Sequence, residues 1–144
     1  MGASETFTDA VERYHRAAAE FVKGNPAPYV ALWSTRDDVS LANPFGPPIG
    51  GWENVRPTME RAAENWREGE VVGFENISTI VCAELGYIVE VERFTAKMGG
   101  SPDKTPVALR TTSILRPEDG MWKITHRHAD SITTARGAES VVRG

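Results

Sequence analysis

Apolar residues recur every three or four positions in the first part of the chain, a spacing that predicts helices. One such stripe contains Phe7, Val11, Tyr14, Ala18, Phe21 and Val22. Thr6 is placed to cap this helix and Gly24 to end it, so a first helix is predicted from about Phe7 to Lys23. A short second helix is predicted from Pro26 to about Trp33.

The next segment predicts a short strand, an irregular rim and a third helix. The strand covers Val39 to Ala42, and the Gly- and Pro-rich residues 43–51 are predicted to be irregular. Helical spacing returns at Trp52, Val55, Met59, Ala62 and Trp66. Gly69 is predicted to end this helix, and Pro57 moves its predicted start from Trp52 toward Asn54.

From Glu70 onward the pattern changes to alternation, with many Val, Ile, Thr and aromatic residues. It predicts four strands, at about Val71 to Cys82, Tyr87 to Lys97, Thr105 to Arg116 and Trp122 to Ile132. Three helices followed by a strand meander indicate an α+β fold, with the helices on one face of an antiparallel sheet. The whole chain, 1–144, is predicted to be one domain with a core at about 7–132 and a frayed tail at 133–144.

Charge and composition exclude several classes of function. The 144 residues carry 16 Lys and Arg against 20 Asp and Glu, a net charge of −4, so we expect no nucleic-acid partner. No apolar run is long enough to cross a bilayer, and we expect no membrane partner and a cytoplasmic location. Cys82 is the only cysteine, which excludes an internal disulfide and a multi-cysteine metal site.

The last predicted strand holds the clearest candidate chemistry. Strict alternation would place His126, His128 and Asp130 on the face that also carries Trp122 and Ile124. This polar row is either a solvated face or the lining of a cavity covered by the helices. The two apolar residues indicate that the helices cover this face. Covered polar groups must form hydrogen bonds or line a cavity that holds water, so we favour the cavity.

Strand pairing extends this row to the neighbouring strands. A pairing of Arg116 with Trp122 across the loop 117–121 would set Thr112 opposite His126 and Arg110 opposite His128. A pairing of Lys97 with Thr105 would bring Glu92 opposite Arg110, although a one-residue slip sends the glutamate to the other face.

Other polar and aromatic residues have weaker assignments. A single-metal site on His126, His128 and Asp130 is an alternative, but the strand spreads these side chains about 7 Å apart in turn, and we expect no metal. His15 is expected in solvent. Apolar walls near the mouth of a cavity are expected from Trp33, Phe45 and Trp52, beside the irregular rim.

Several segments together resemble one known superfamily. They are the stripe of the first helix, the stretch from Ala31-Leu32-Trp33 to Asn43-Pro44, Gly51-Trp52, and the closing run from Arg116 through Trp122 and His126 to Asp130. The chain resembles the cystatin-like α+β cone superfamily that includes nuclear transport factor two, in its SnoaL-like or ketosteroid-isomerase-like branch. The resemblance covers about Phe7 to Ile132. It implies a strongly curved sheet forming a cone with an internal pocket, and a homodimer through the outer face of the sheet.

The resemblance also carries single residues over. Tyr14 matches the isomerase tyrosine that donates to the enolate oxygen. The isomerase base is an Asp before Pro, and Asn43 stands there, which disfavours isomerisation by that mechanism because an amide cannot accept the proton. A threonine, Thr111 or Thr112, stands where the isomerase has a protonated Asp.

The sequence therefore predicts a small-molecule pocket protein, with cofactor-free acid/base chemistry on an apolar carbonyl compound as the leading hypothesis. The expected catalytic residues are His126, His128 and Asp130. The expected ligand-binding residues are Tyr14, Trp33, Asn43, Phe45, Trp52, Arg110 and Thr112. A non-catalytic homodimeric ligand-binding or interaction module of the same fold is the alternative.

Overall fold

The computed structural model describes residues 4–143 and shows an α+β architecture. The helices are α1 (Phe7–Phe21), α2 (Ala27–Val30) and α3 (Trp52–Ala63). The strands are β1 (Ser40–Ala42), β2 (Ile49–Gly50), β3 (Trp66–Val81), β4 (Gly86–Met98), β5 (Lys104–Glu118) and β6 (Met121–Asp130). The α+β class predicted from the sequence is confirmed.

Helix α1 lies across the sheet and buries one face against it. It begins as predicted, because the Thr6 hydroxyl accepts the backbone N–H of Asp9 at 3.0 Å. Its buried residues are Phe7, Ala10, Tyr14, Ala17 and Ala18. These pack with the inward residues of the sheet into two adjoining apolar clusters.

The ends of the other helices differ from the prediction. Helix α2 is a single turn that stops at Val30, and α3 stops at Ala63 although apolar spacing continues to Trp66. Gly69 does not end a helix. It lies in β3 with its N–H 3.0 Å from the carbonyl oxygen of Val22, and an added Cβ would come within 2.1 Å of that oxygen. The glycine is therefore required by close contact between two backbones.

The sheet has the strand order β2-β1-β6-β5-β4-β3. All its strand pairs are antiparallel except β1 with β6. The two residues of β2 lie inside residues 43–51, which the sequence predicted to be irregular. The pair of β4 and β5 is slipped by one residue from the predicted register, because Lys97 pairs with Lys104. Glu92 consequently opposes Leu109, and it points to the helix side of the sheet, where its side chain is almost fully buried.

A β-bulge at Thr125 decides which side chains of β6 face the helices. Leu115 pairs with Ile124, whereas Ile114 pairs with His126, so Thr125 has no partner residue on β5. A bulge inserts one residue and shifts the alternation of all residues after it. The strict alternation predicted for β6 is therefore wrong beyond Ile124.

The shifted alternation exchanges the two faces of the last half of β6. Arg127 and Ala129 now follow Ile124 on the helix side. His126, His128 and Asp130 lie on the outer face, away from α1. The side chain of His128 is 50% exposed.

Two further features lie at the periphery of the domain. The tail that was predicted to be frayed contains one exposed 3-10 turn at Ala138–Val141. Within residues 4–143, no helix has the length and apolar character that crossing a membrane requires.

Candidate functional site

A cavity lies between the helices and the inner face of the sheet. Its volume is about 60 Å³, enough for several water molecules or for the polar end of a small organic molecule that extends toward solvent. Most of its lining is apolar, from Ala18, Phe21, Val22, Leu41, Pro44, Phe45, Met59, Ala62, Trp66, Phe94, Leu109 and Ala129. Its polar lining comes from Tyr29, Asn43, Glu92 and Arg127. Such a cavity suits an apolar molecule with few polar atoms.

An ion pair of Glu92 and Arg127 forms part of the wall. Arg127 donates from Nη2 to Glu92 Oε1 at 2.9 Å and from Nη1 to Oε2 at 3.1 Å. Burial acts to lower the pKa of Arg127, but the charge and hydrogen bonds of Glu92, together with Tyr29 and Glu90, outweigh burial and raise that pKa. Arg127 is therefore a permanent cation, and its charge is balanced inside the protein.

The hydroxyl of Tyr14 belongs to the same cluster. It donates to Oε2 of Glu92 and accepts from Nη1 of Arg127 at 2.5 Å. The sequence predicted this hydroxyl as the donor to a substrate oxygen. In the structure the hydroxyl is already committed to the ion pair.

Tyr29 lines the cavity and carries an unsatisfied polar atom. Only 5% of the residue is exposed, and its hydroxyl has no hydrogen-bond partner among the described residues. Burial raises the pKa of Tyr29, against a lowering effect of Arg127, so the hydroxyl keeps its proton at neutral pH. Sequence reasoning missed Tyr29, since nothing in a one-turn helix distinguishes it from a core tyrosine.

Four of the expected ligand-binding residues separate into two groups. Asn43 and Phe45 line the cavity, with the side-chain oxygen of Asn43 accepting the backbone N–H of Phe45 at 3.0 Å. Trp33 and Trp52 do not line it. Trp33 is buried in the core beside Ile124, and Trp52 packs against the same cluster, so their expected role as cavity walls is wrong.

The polar row predicted on β5 and β6 does assemble, but on the outer face of the sheet. His128 Nε2 lies 2.8 Å from Asp130 Oδ2, and Arg110 Nε donates to Asp130 Oδ1 at 2.7 Å. Thr112 pairs with His128 rather than with His126. Burial acts to raise the pKa of Asp130, but the hydrogen bonds from Arg110, the Ile132 backbone and His128 lower it to about 2.

His126 joins a different contact on that face. Its Nδ1 lies 2.8 Å from the hydroxyl oxygen of Ser40 on β1. Burial, followed by the neighbouring His128, lowers the pKa of His126 and favours the neutral ring. The prediction that His126, His128 and Asp130 line a cavity under α1 is wrong, because of the bulge at Thr125.

His15 is not a free surface side chain as the sequence predicted. Its Nε2 lies 2.9 Å from both carboxylate oxygens of Glu90, and its ring stacks on Phe74 at 3.7 Å. Glu90 is buried on the inner face, two residues before Glu92. The helix side of the sheet thus holds two carboxylates, one guanidinium and one imidazole.

No metal centre is built from these groups. Among residues 4–143, no three or more His, Cys, Asp and Glu side chains are grouped so that they could hold an ion.

The element order and the curved six-stranded sheet under α1 define an α+β protein consistent with the cone fold. A family model described as a SnoaL-like domain matches residues 8–134, and the chain belongs to that family. No curated protein matches the chain.

Solved structures with the same fold have diverse descriptions. A putative dehydratase from the NTF2-like family of Streptomyces avermitilis is 16% identical, with 88% of this chain and 97% of that chain covered and a TM-score of 0.70. A ketosteroid isomerase-like protein from Erwinia carotovora atroseptica is 17% identical, covering 88% and 94%, with a TM-score of 0.70. A putative calcium/calmodulin-dependent protein kinase type II association domain from Thiobacillus denitrificans is 17% identical, covering 91% and 98%, with a TM-score of 0.71. Identities this low establish a shared fold only.

Proposed function

We propose that this protein binds a small, mostly apolar molecule that carries an oxygen function in the cavity beneath α1. One observation carries the proposal: the cavity is walled by apolar side chains but contains the buried ion pair of Glu92 and Arg127. A buried charged pair in a wall is costly unless it is compensated, and it gives a bound molecule a polar contact in an otherwise apolar space.

Thermal unfolding with three small ketones, cyclohexanone, acetophenone and 1-indanone, tests the proposal. A ligand at ten times its Kd stabilises the native state by about 1.4 kcal/mol, which raises Tm by roughly 4 °C in a domain of this size. Ala129→Leu fills the cavity and is expected to abolish this rise. Ala108→Leu, on the outer face of β5, is the matched control and should keep it. Absence of a rise with all three ketones, or an equal rise in both variants, contradicts the proposal.

A catalytic version of this function is the second candidate, because Glu92 is a carboxylate that lines the cavity. Glu92 would accept a proton from the carbon next to a bound carbonyl, the C–H electron pair would form the enolate, and Arg127 would stabilise the enolate oxygen. The proton would then return to carbon. Tyr14 and Arg127 both donate to Glu92, so its two oxygens already accept hydrogen bonds within the protein, and binding ranks before catalysis.

Exchange of the methyl protons of acetophenone for deuterium, followed by NMR in D2O, tests the catalytic version. It predicts exchange above the uncatalysed rate, its loss in Glu92→Gln, and no change in His128→Ala. His126, His128 and Asp130, the predicted acid/base residues, lie on the outer face and do not line this cavity. Loss of exchange in His128→Ala would restore that role and contradict the assignment to Glu92.

We also propose, from the family resemblance, a homodimer through the outer face of the sheet. Tyr87, Val89, Val91 and Ile114 form a half-buried apolar patch there. Val89→Arg is expected to convert a dimer into a monomer in light scattering, while Val72→Arg, at an exposed site on β3, should leave it a dimer. A monomeric wild type contradicts this proposal. The cytoplasmic location stays a prediction from the sequence.

A further inference from the structure

We propose that Arg127 selects a neutral oxygen acceptor, such as a ketone or ester carbonyl, and that the cavity rejects carboxylates and other anions. The inference rests on the proposed binding function, and it names the class of ligand for the same site. It assigns the role of oxygen donor to Arg127 rather than to Tyr14.

The first argument is the hydrogen-bond inventory of the guanidinium. Arg127 uses Nη1 and Nη2 on Glu92, and Nη1 also on Tyr14. Its Nε–H has no partner among the described residues, and the side chain lines the cavity. A guanidinium has five N–H donors in a fixed plane, so the edge away from Glu92 remains able to donate. An oxygen in the cavity can accept from that edge without breaking the ion pair.

The second argument is the charge already buried beneath α1. Glu90 and Glu92 are 2% and 1% exposed, and the cations that face them are Arg127 and, when protonated, His15. The two carboxylates therefore already match or exceed the positive charge of this layer. An anionic ligand would bring a third negative charge into the apolar surroundings, where an unbalanced charge is expensive. A neutral carbonyl oxygen gains the hydrogen bond and adds no net charge.

The third argument comes from Tyr14 and Tyr29. The hydroxyl of Tyr14 is bonded on both sides by Glu92 and Arg127, so it has no proton left for a ligand. Tyr29 lines the cavity, whereas Tyr14 does not, and the hydroxyl of Tyr29 lacks an acceptor among the described residues. Arg127 and Tyr29 thus each keep a proton that they can donate into the cavity. Such donors suit a ligand whose polar atom only accepts hydrogen bonds.

Three benzene derivatives of similar size provide the test at pH 7: acetophenone as the neutral acceptor, ethylbenzene without oxygen, and benzoate as the anion. Calorimetric Kd values should favour acetophenone over ethylbenzene by about tenfold, because hydrogen bonds from charged donors are the stronger ones. Benzoate should show no binding at the highest concentration at which acetophenone saturates. Equal affinities for acetophenone and ethylbenzene, or benzoate binding as tightly as acetophenone, would overturn the selectivity while leaving the binding function intact. Absence of binding by all three would overturn the binding function, and the inference with it.

Arg127→Lys assigns the selectivity to the free edge of the guanidinium. Lysine keeps the positive charge beside Glu92, but its ammonium group lacks the planar N–H edge that the guanidinium turns away from Glu92. The preference for acetophenone over ethylbenzene is expected to fall to about twofold or less, with ethylbenzene affinity unchanged. Arg110→Lys on the outer face is the matched control and should retain the tenfold preference. A preserved preference in Arg127→Lys would overturn the assignment, and if that variant does not fold, the wild-type series alone decides the inference.

Discussion

Arg127 on β6 and Glu92 on β4 form a two-bond ion pair across β5, the strand that separates them. The pair forms because the bulge at Thr125 turns Arg127 inward, toward the face on which the regular alternation of β4 places Glu92. The contact therefore links the chemistry of the cavity to the geometry of the sheet.

Removal of one partner of this pair should be far more damaging than removal of both. Arg127→Met leaves the Glu92 carboxylate buried without its cation, and we expect a loss of about 3–5 kcal/mol in the free energy of unfolding. The double variant Arg127→Met/Glu92→Leu should regain most of that loss, since it leaves no buried charge unpaired. Urea unfolding at pH 7 measures both. A single variant within 1 kcal/mol of wild type, on the order of an exposed ion pair, would contradict the buried contact.

The two tyrosines near this pair should respond oppositely to loss of their hydroxyl groups. Tyr14→Phe removes a hydroxyl that is bonded to Glu92 and Arg127, and is expected to cost about 1–3 kcal/mol. Tyr29→Phe removes a hydroxyl with no partner among residues 4–143, and should leave stability unchanged or raise it. Thermal melts of the two variants, which lose the same atom, provide the comparison. Equal destabilisation would show that Tyr29 has a partner.

The pKa of Asp130 gives a pH-dependent prediction for the outer face. The carboxyl has a pKa of about 2 in the native state and about 3.9 when unfolded, so its contribution to stability is present above about pH 4 and is lost as pH falls toward 2. Arg110→Gln should raise the pKa of Asp130 toward that of a free carboxyl, measured by NMR titration of the side-chain carboxyl carbon. Arg93→Gln, which breaks the separate pair with Glu75, should leave the pKa at about 2. An unchanged pKa in Arg110→Gln would refute the contact.

Gly69 should tolerate no side chain. Gly69→Ala places a Cβ against the Val22 backbone, and the required shift is expected to cost at least about 1–3 kcal/mol. Gly73→Ala in the same strand is the control, because no atom lies within 4 Å of its added Cβ, and it should change stability by less than about 1 kcal/mol. Equal unfolding midpoints for the two variants would argue against the close approach of α1 and β3.

The order of helices and strands could be predicted because periodicity reports which face of an element is buried. The ends of α3 and β3 could not, since Trp66 is apolar at a position that suits both a helix stripe and a strand. The inward face of β4 could be predicted from the sequence, although its pairing register with β5 could not. Glu90 and Glu92 share their parity with the apolar Ile88, Phe94 and Ala96, which indicates an inward face.

Simple alternation of side chains could not predict which residues of β6 face the cavity. A bulge adds one residue without a composition signal, and Thr125 is an ordinary strand residue. The available hint was Ala129, a small apolar residue between His128 and Asp130. Alternation from Trp122 and Ile124 would turn it outward, so its apolar character fits an inward face only if one residue is inserted before it. The same shift places Arg127 in the cavity, a residue that sequence reasoning left unassigned.

The central claim is that Arg127, and not the histidines of β6, faces the bound molecule. NMR of protein labelled with 15N-arginine and 15N-histidine, titrated with acetophenone, tests it most directly. We predict that the Nε–H resonance of Arg127 shifts and saturates, while the ring resonances of His126 and His128 stay within experimental error. Saturable shifts of the histidine rings with a stationary Arg127 resonance would contradict the account.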